Sequence, residues 1–245
     1  MRALVGAWRL ARLVPHVLHG LLIVRRGFAR LPAPTRHGLI QWWSRKTLAI
    51  LGIELQTTGA LPASPAGQLL IANHVSWLDI AAVHAVLPQA RFVSKADVRH
   101  WPLVGALVEG AGTLFIERSS KRDALRVVHQ SAAALQAGDC VAVFPEGTTG
   151  AGPELLPFHG NLLQAAISSE AAVLPLVLRW HEPDERFSTA ARFIGDTTLA
   201  QSLWRIACAR RLAIAVRVLP VVPTQGQERR ALAESLRADI ARHLG

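Results

Sequence analysis

The chain has 245 residues, 51% of them hydrophobic, and it carries a formal net charge of +10. Such a chain is long enough and apolar enough to bury a sizeable core, which excludes an intrinsically disordered protein. The excess of basic residues predicts a polyanionic partner, either nucleic acid or an anionic membrane surface.

The first 50 residues distinguish between these two partners. They contain eight Arg, one Lys and three Trp but neither Asp nor Glu, and many of the others are Leu, Val or Ile. A basic and strongly apolar segment is typical of helices that lie on a membrane, whereas arms that bind nucleic acid are usually basic and polar. We therefore expect residues 1–50 to dock on anionic lipids, and we expect no nucleic-acid partner. The alternative is a basic helix that only caps the domain.

The same segment does not predict a membrane span. Its most apolar stretch, 13–24, is twelve residues long, whereas a spanning helix needs about 20 apolar residues. Arg25, Arg26 and Arg30 follow it, in place of the small residues of a signal-peptide cleavage site. We expect peripheral or monotopic attachment.

Along the chain, residues 1–30 predict one or two amphipathic helices broken near Pro15, followed by a linker at 31–34, a helix over 38–50 and a loop over 60–67. Thereafter short apolar runs alternate with helical patterns. Strands are predicted over 69–72, 91–94, 113–116, 140–144, 172–180, 191–194 and 212–219, and helices over 79–86, 123–136, 161–168 and 228–244. This alternation predicts an α/β fold with a mixed, largely parallel sheet flanked by helices, here spanning 51–245.

The first candidate for chemistry is the pair His74 and Asp79. His74 follows a predicted strand directly, and side chains at such strand ends line the crevice in which α/β proteins bind ligands. A carboxylate bonded to one imidazole nitrogen leaves the other nitrogen free to act as a base. Taken alone the spacing is weak, because an Asp in the first turn of a helix is also favoured by the helix dipole.

Two further segments place polar residues at the ends of predicted strands. Phe144-Pro-Glu-Gly-Thr-Thr149 forms a tight turn that offers Glu146, two hydroxyls and backbone N–H groups to a ligand. Gly112-Thr-Leu-Phe-Ile-Glu-Arg118 delivers Arg118, a cation suited to phosphate or carboxylate. Each segment has an ordinary alternative, a plain turn or a solvated charge.

In combination these segments resemble the glycerolipid acyltransferase family, typified by bacterial 1-acylglycerol-3-phosphate acyltransferases. Four blocks occur in the family's order: Asn73-His74-x-Ser76-x-x-Asp79, Gly112 to Arg118, Phe144-Pro-Glu-Gly-Thr148, and the strand Val173 to Val177 around Pro175. Segments that resemble the family's connections lie between them, around Lys95 and at 101–105 and 157–160. The resemblance covers roughly residues 50–220.

The resemblance implies that 51–245 is a catalytic domain in which His74 is the general base and Asp79 orients it. Arg118 would hold an acceptor phosphate, Glu146 and Gly147 would shape the acceptor site, and Pro175 would lie near the acyl or acceptor pocket. The residues implied in substrate binding are Asn73, Ser76, Lys95, Gly112, Phe115, Arg118, Glu146, Gly147, Thr148, Thr149 and Pro175. The family's donor is an acyl-coenzyme A or acyl-acyl carrier protein, and neither a bound cofactor nor a metal is implied. The expected location is the cytoplasmic face of the inner membrane.

One residue departs from the family's pattern. The third block usually continues with Arg, where this chain has Thr149, so a bidentate phosphate contact is lost. The resemblance implies acyl transfer to a lysolipid, with 1-acylglycerol-3-phosphate as the first acceptor. Because of Thr149, lyso-ornithine lipid is the alternative. A thioester hydrolase and a non-catalytic lipid-binding protein remain as alternatives of other classes.

Overall fold

The computed structural model describes residues 1–101, 103–116 and 121–245. Its α-helices are α1 (Arg2–Arg25), α2 (Ala33–Ile50), α3 (Asp79–Val86), α4 (Val104–Gly110), α5 (Lys121–Gln136), α6 (Gly160–Ser168), α7 (Leu199–Cys208) and α8 (Arg229–Leu244). Its strands are β1 (Glu54–Thr58), β2 (Leu69–Ala72), β3 (Ala90–Lys95), β4 (Leu114–Ile116), β5 (Cys140–Val143), β6 (Val173–His181) and β7 (Ala213–Val218). Short 3-10 helices lie at Phe28–Arg30 and Ala96–His100.

Within the described residues the strands form one seven-stranded sheet in the order β1-β7-β6-β2-β5-β3-β4. The five strands from β6 to β4 run parallel to one another. β7 is antiparallel to β6, and β1 is parallel to β7. This arrangement confirms the predicted fold class, a mixed and largely parallel sheet flanked by helices.

Each face of the sheet is covered by its own apolar cluster. One cluster joins the sheet to α2, α3 and α7, with α1 packed at its margin. The other joins the opposite face to α5, α6 and α8. Because the central strands β2 and β5 are buried on both faces, their sequences are continuously apolar, which is typical of parallel strands.

The helix α1 is continuous, so the predicted break near Pro15 is wrong. Proline removes the bond to the carbonyl four residues earlier, but Ala11 is exposed, so water can satisfy that carbonyl. The next turn is held by packing, since Nε2 of His16 lies 3.1 Å from both the Trp43 carbonyl and Oγ1 of Thr47. Packing against α2 therefore outweighs the local cost of the proline.

The N-terminal segment packs on the α/β part of the chain. Arg9 donates to the carbonyls of Ala207 and Ala209 at the end of α7. Gly6 allows a close approach, because a Cβ at this position would lie 2.5 Å from Sγ of Cys208. No helix in the described ranges, 1–101, 103–116 and 121–245, is long and apolar enough to cross a bilayer.

The predicted strand over 191–194 is wrong, since this stretch is irregular. Its backbone is satisfied by loop contacts instead of a ladder, because the N–H of Phe193 donates to the Val75 carbonyl. The sequence also did not predict β1, α4 and α7. Of these, α7 has a readable start, a capping box between Thr198 and Gln201.

Candidate active site

The candidate site lies at the carboxyl edge of the parallel strands. β2 ends just before His74, β5 ends three residues before Glu146, and β3 ends at Lys95. Because these strands are parallel, their carboxyl ends meet at one edge of the sheet, where α/β proteins bind ligands. The edge therefore brings the first and third sequence blocks together.

His74 and Asp79 form a hydrogen-bonded pair. Nδ1 of His74 lies 2.9 Å from Oδ2 of Asp79, and the His74 side chain is 17% exposed whereas that of Asp79 is fully buried. A carboxylate oxygen accepts, so Nδ1 carries the proton and Nε2 keeps its lone pair. No residue in the described part of the chain bonds to Nε2. The basic nitrogen is thus available to a ligand at the sheet edge.

The Asp79 carboxylate is held by four donors. Its Oδ2 also accepts from the backbone N–H groups of Val75 and Ser76, at 2.7 and 2.8 Å. Its Oδ1 accepts from Nε1 of Trp180 at 2.6 Å. A fully buried charge is costly unless its oxygens are hydrogen-bonded, and these donors offset that cost while fixing the plane of the carboxylate.

Asn73 ties the loop after β2 to the neighbouring strand. Its side-chain amide donates to the Leu178 carbonyl, and its Oδ1 accepts from the Leu178 N–H, both at 2.8 Å. The amide therefore continues the pairing of β2 with β6 beyond Ala72. Asn73 is fully buried and positions the loop in this structure, and its implied part in substrate binding stays a prediction.

Glu146 holds the backbone of His74 from the side of β5. Its Oε1 accepts from the His74 N–H at 2.7 Å, and its Oε2 accepts from the Leu156 N–H at 3.0 Å. The N–H of Gly150 donates to the His74 carbonyl at 2.7 Å. Both backbone groups of His74 are therefore fixed by the turn that follows β5.

Burial raises the pKa of the Glu146 carboxyl above its usual value, and the N–H groups of His74 and Leu156 oppose that rise. The two carboxylate oxygens are occupied by backbone donors, so in this structure Glu146 is directed at the chain itself. Its implied part in binding an acceptor stays a prediction.

An aromatic stack supports the His74 ring. The rings of His74 and Phe144 lie 3.9 Å apart between centroids and 5° from parallel. Phe144 in turn stacks on Phe92, with the ring centroids 5.3 Å apart, and Phe92 belongs to the apolar core. The imidazole is thus held by a hydrogen bond to a carboxylate at its edge and by a core aromatic ring on its face.

The turn after β5 also carries Gly147, Thr148 and Thr149. Gly147 adopts a φ of 72°, a conformation that favours glycine. Thr148 is exposed. The Thr149 hydroxyl donates to the carbonyl of Phe193, which joins this turn to the irregular stretch that contacts Val75. Thr149 therefore has a structural partner at the position where the family has arginine.

The remaining predicted residues are spread more widely. Lys95 is exposed at the carboxyl edge, and Phe115 of β4 lies under the guanidinium of Arg99, 4.6 Å from the ring centroid. Arg118 lies outside the described residues. Gly112 precedes β4 and so lies at the opposite, amino edge of the sheet. Their parts in substrate binding stay predictions.

Pro175 lies inside β6, paired with Ile71 of β2. Strand alternation places it on the face of Val173 and Val177, which belong to the cluster covered by α5, α6 and α8. His74 stacks on Phe144 at the other face. The structure therefore does not bring Pro175 to the His74 ring.

Trp180 and Phe144 were not identified as site residues from the sequence. Phe144 is the first residue of the third sequence block, so its contact with His74 could have been predicted from the sequence. Trp180 reaches Asp79 across 101 residues of sequence, and only its alternation with Leu176 and Leu178 along an apolar strand marks it as inward-facing.

The fold and the site together define an α/β protein in which a histidine, hydrogen-bonded to a buried aspartate, lies at a sheet edge, an arrangement that is able to act as a general base. In the described residues no group of His, Cys, Asp and Glu has the arrangement of a metal site. The Acyltransferase family model matches residues 53–179, so the chain belongs to the acyltransferase family. The resemblance found from the sequence blocks is confirmed.

Individual relatives carry two kinds of name. The lyso-ornithine lipid O-acyltransferase of Pseudomonas aeruginosa is 39% identical over 83% of this chain and 79% of its own length. The 1-acyl-sn-glycerol-3-phosphate acyltransferase of Neisseria meningitidis is also 39% identical, over 80% of this chain and 78% of its own length. The crystal structure of the 1-acyl-sn-glycerophosphate acyltransferase of Thermotoga maritima matches with a TM-score of 0.74, covering 100% of this chain and 96% of that one. At 16% identity that last likeness shows the fold alone.

Proposed function

We propose that this acyltransferase transfers a fatty acyl group from an acyl thioester to the hydroxyl of a lysolipid. The observation that carries the proposal is the bond from Nδ1 of His74 to the buried carboxylate of Asp79, 2.9 Å long, with Nε2 available. A hydroxyl is a weak nucleophile until a base takes its proton, and a positioned histidine contributes about 100- to 10,000-fold to such a step.

In the proposed step the acceptor hydroxyl gives its proton to Nε2 of His74 as its oxygen bonds to the thioester carbonyl carbon. Asp79 stabilises the imidazolium that forms. When the tetrahedral intermediate collapses, the carbon–sulfur bond breaks and the departing thiolate takes the proton back from Nε2. The products are an ester and a free thiol, and His74 is restored without a covalent acyl-enzyme.

For the acceptor we propose 1-acylglycerol-3-phosphate, giving phosphatidic acid, as the relative from Neisseria meningitidis is named for that acceptor. Lyso-ornithine lipid is the second candidate, and Thr149 favours it. The Thr149 hydroxyl is bonded to the carbonyl of Phe193, and it supplies no cation for a phosphate where the family has arginine. The proposed donor is an acyl-coenzyme A or an acyl-acyl carrier protein.

We further propose that α1 docks the protein on anionic lipid at the cytoplasmic face of the inner membrane. Leu4, Trp8, Leu18 and Leu22 recur at helical spacing, and each is between 46% and 76% exposed. This stripe lies opposite the buried side of α1, which contains Gly6, His16, Gly20 and Leu21. An exposed apolar stripe on a basic helix fits the interfacial plane of a bilayer.

Basic side chains border this stripe. The guanidinium of Arg12 lies 4.4 Å from the ring centroid of Trp8, an arrangement in which the cation can reach lipid phosphate while the ring enters the acyl region. Residues 1–50 contain no acidic side chain that would oppose this attraction. Docking would bring the site to its lipid substrates.

The test is an assay of the purified full-length protein with acyl-coenzyme A or acyl-acyl carrier protein and a panel of lysolipids, with the product identified by mass. We expect an ester product with 1-acylglycerol-3-phosphate or lyso-ornithine lipid. The variant His74→Ala should lose about 100- to 10,000-fold in rate. The control His129→Ala, at an exposed position on α5, should retain wild-type activity.

Other outcomes separate the other classes of function. Release of free fatty acid at the same rate with and without a lysolipid would identify a thioester hydrolase. Tight lysolipid binding without any product would identify a lipid-binding protein. Wild-type turnover by the His74→Ala variant would reject the proposed base.

A further inference from the structure

The indole of Trp180 is a member of the site that none of the sequence blocks contains. Trp180 stands near the end of β6 and is almost completely buried. Its Nε1 donates to Oδ1 of Asp79 at 2.6 Å. A donor this close to a buried carboxylate forms a charge-assisted hydrogen bond, which is about twice as strong as a neutral one.

The two oxygens of Asp79 have different partners. Oδ2 receives Nδ1–H of His74 and the backbone N–H groups of Val75 and Ser76. Within the described ranges Oδ1 receives Trp180 alone. Loss of the indole N–H would therefore leave one oxygen of a fully buried carboxylate without a donor, and the charge on the carboxylate would be less well stabilised.

The strand β6 is fixed where it must deliver this indole. Asn73 bonds to both backbone groups of Leu178, two residues before Trp180. On the other side Trp180 pairs with Ile214 of β7 in the antiparallel ladder. Since side chains alternate along a strand, Leu178 and Trp180 face the same cluster as the loop of Asp79. The indole is thus held on both sides by backbone pairing.

We propose that Trp180 is a positioning residue that acts through Asp79: its N–H orients the carboxylate and lowers the proton affinity of the His74–Asp79 pair. The proposal rests on the proposed function, because it assumes that this pair is the general base. Its chemistry is a stabilisation of the unprotonated pair, in which Asp79 is charged and Nε2 of His74 is free.

Removing the donor should make the pair take up a proton more readily. The carboxylate of Asp79 loses one of four hydrogen bonds, so its negative charge is less well stabilised. The His74–Asp79 pair then binds a proton more tightly. Hydrogen bonds to charged groups are strong enough to shift such an equilibrium by about one pH unit. The acid limb of the pH–rate profile should therefore move to higher pH by about one unit, with KM changed less than kcat.

The experiment follows His74 directly, by an NMR titration of its imidazole in the full-length protein, with the His74→Ala variant identifying the signal. In Trp180→Phe, which keeps an aromatic ring but has no N–H, the midpoint should rise by about one pH unit. The matched control is Trp43→Phe, which loses a 3.4 Å indole bond to the His16 carbonyl between α1 and α2. Its His74 midpoint should equal that of the wild type.

A second measurement needs no variant at Trp180. In the wild-type protein the Trp180 indole proton should change its chemical shift with the same midpoint as His74, because its bond to Asp79 senses the charge of the His74–Asp79 pair. An indole proton that ignores this titration, or an unchanged midpoint in Trp180→Phe, would overturn the proposal. Absence of acyl transfer in the wild type would reject the proposed function separately, since neither titration depends on turnover.

Discussion

Phe144 lies face to face with His74, with ring centroids 3.9 Å apart and ring planes 5° from parallel. The stack joins His74, the proposed general base, to the apolar core, since Phe144 also stacks on Phe92. Asp79 fixes the edge of the imidazole and Phe144 fixes its face, so the two contacts together define the direction of Nε2.

Replacing Phe144 with Leu should therefore slow catalysis. Leucine keeps apolar volume against Phe92 but removes the stacked ring, whose pairing energy is about 0.5–1.5 kcal/mol. We expect kcat to fall about 2- to 12-fold with a smaller change in KM, measured by steady-state kinetics. Phe28→Leu removes a buried ring outside the site and is the control. Equal losses in both variants would assign the effect to general destabilisation.

The contacts of Glu146 predict how the free energy of unfolding depends on pH. Glu146→Gln removes one of two oxygens that accept from the backbone of His74 and Leu156, so the free energy of unfolding should fall by about 1–3 kcal/mol. Burial raises the pKa of Glu146 in the folded protein. Between the unfolded and the folded pKa the folded protein binds more protons, so stability contributed by this group falls as pH rises.

The stability difference between wild type and Glu146→Gln should therefore be largest in acid and narrow as pH rises through the raised pKa. Urea unfolding of both proteins at a series of pH values measures this difference, and terms from other groups cancel in it. A difference that widens with increasing pH would contradict the direction of the pKa shift.

Much of the architecture could be predicted from the sequence, because local helix and strand preferences agree with the tertiary packing. The helix predicted over 79–86 is α3 without change, since Asp79 favours a helix start and Pro88 follows its end. The alternation of apolar runs and helical patterns was sufficient for the sheet class. At Pro15 the two preferences conflict, and the buried contacts of His16 maintain the helix.

The site could be predicted only in part, because several of its contacts join residues that are far apart in the sequence. His74 and Asp79 are five residues apart, so one turn of chain brings them together. The bonds of Asn73 to Leu178 and of Asp79 to Trp180 span 105 and 101 residues. Such contacts depend on strand order, which periodicity does not specify. The inward direction of Glu146 likewise depends on the backbone N–H of His74, which lies 72 residues earlier in the chain.

The exposed stripe of α1 predicts how membrane binding responds to single changes. Leu18→Glu places a charge among apolar side chains that we expect to enter the bilayer interface. The partition of the full-length protein onto vesicles with anionic lipid should fall at least about tenfold. Leu125→Glu is the matched control, because Leu125 is an exposed leucine on α5, outside this stripe. Co-sedimentation with vesicles measures both variants.

Both leucines are exposed, at 48% and 62%, so neither change should alter the melting temperature by more than a few degrees. Raising the salt concentration should weaken wild-type binding as well, because salt screens the attraction that we propose between the arginines of residues 1–50 and anionic lipid. Equal loss of partition in both variants would mean that the bilayer contacts another face.

Thr149 makes the sharpest prediction about the acceptor. Its hydroxyl donates to the Phe193 carbonyl, and Thr149→Arg would exchange this bond for a guanidinium at the position where the family has arginine. A charge-assisted bond to phosphate is worth about 1.5–3 kcal/mol. We therefore expect the ratio of transfer to 1-acylglycerol-3-phosphate over transfer to lyso-ornithine lipid to rise at least about tenfold.

Two matched variants separate the possible causes of such a rise. Thr148→Arg places the same charge on the adjacent, exposed residue, and Thr149→Val removes the hydroxyl without adding a cation. If position 149 selects the acceptor, only Thr149→Arg changes the ratio, measured by competition between the two lysolipids in one reaction. An equal rise in Thr148→Arg would indicate unspecific attraction of the phosphate. An unchanged ratio in Thr149→Arg would mean that other residues of the chain choose the acceptor.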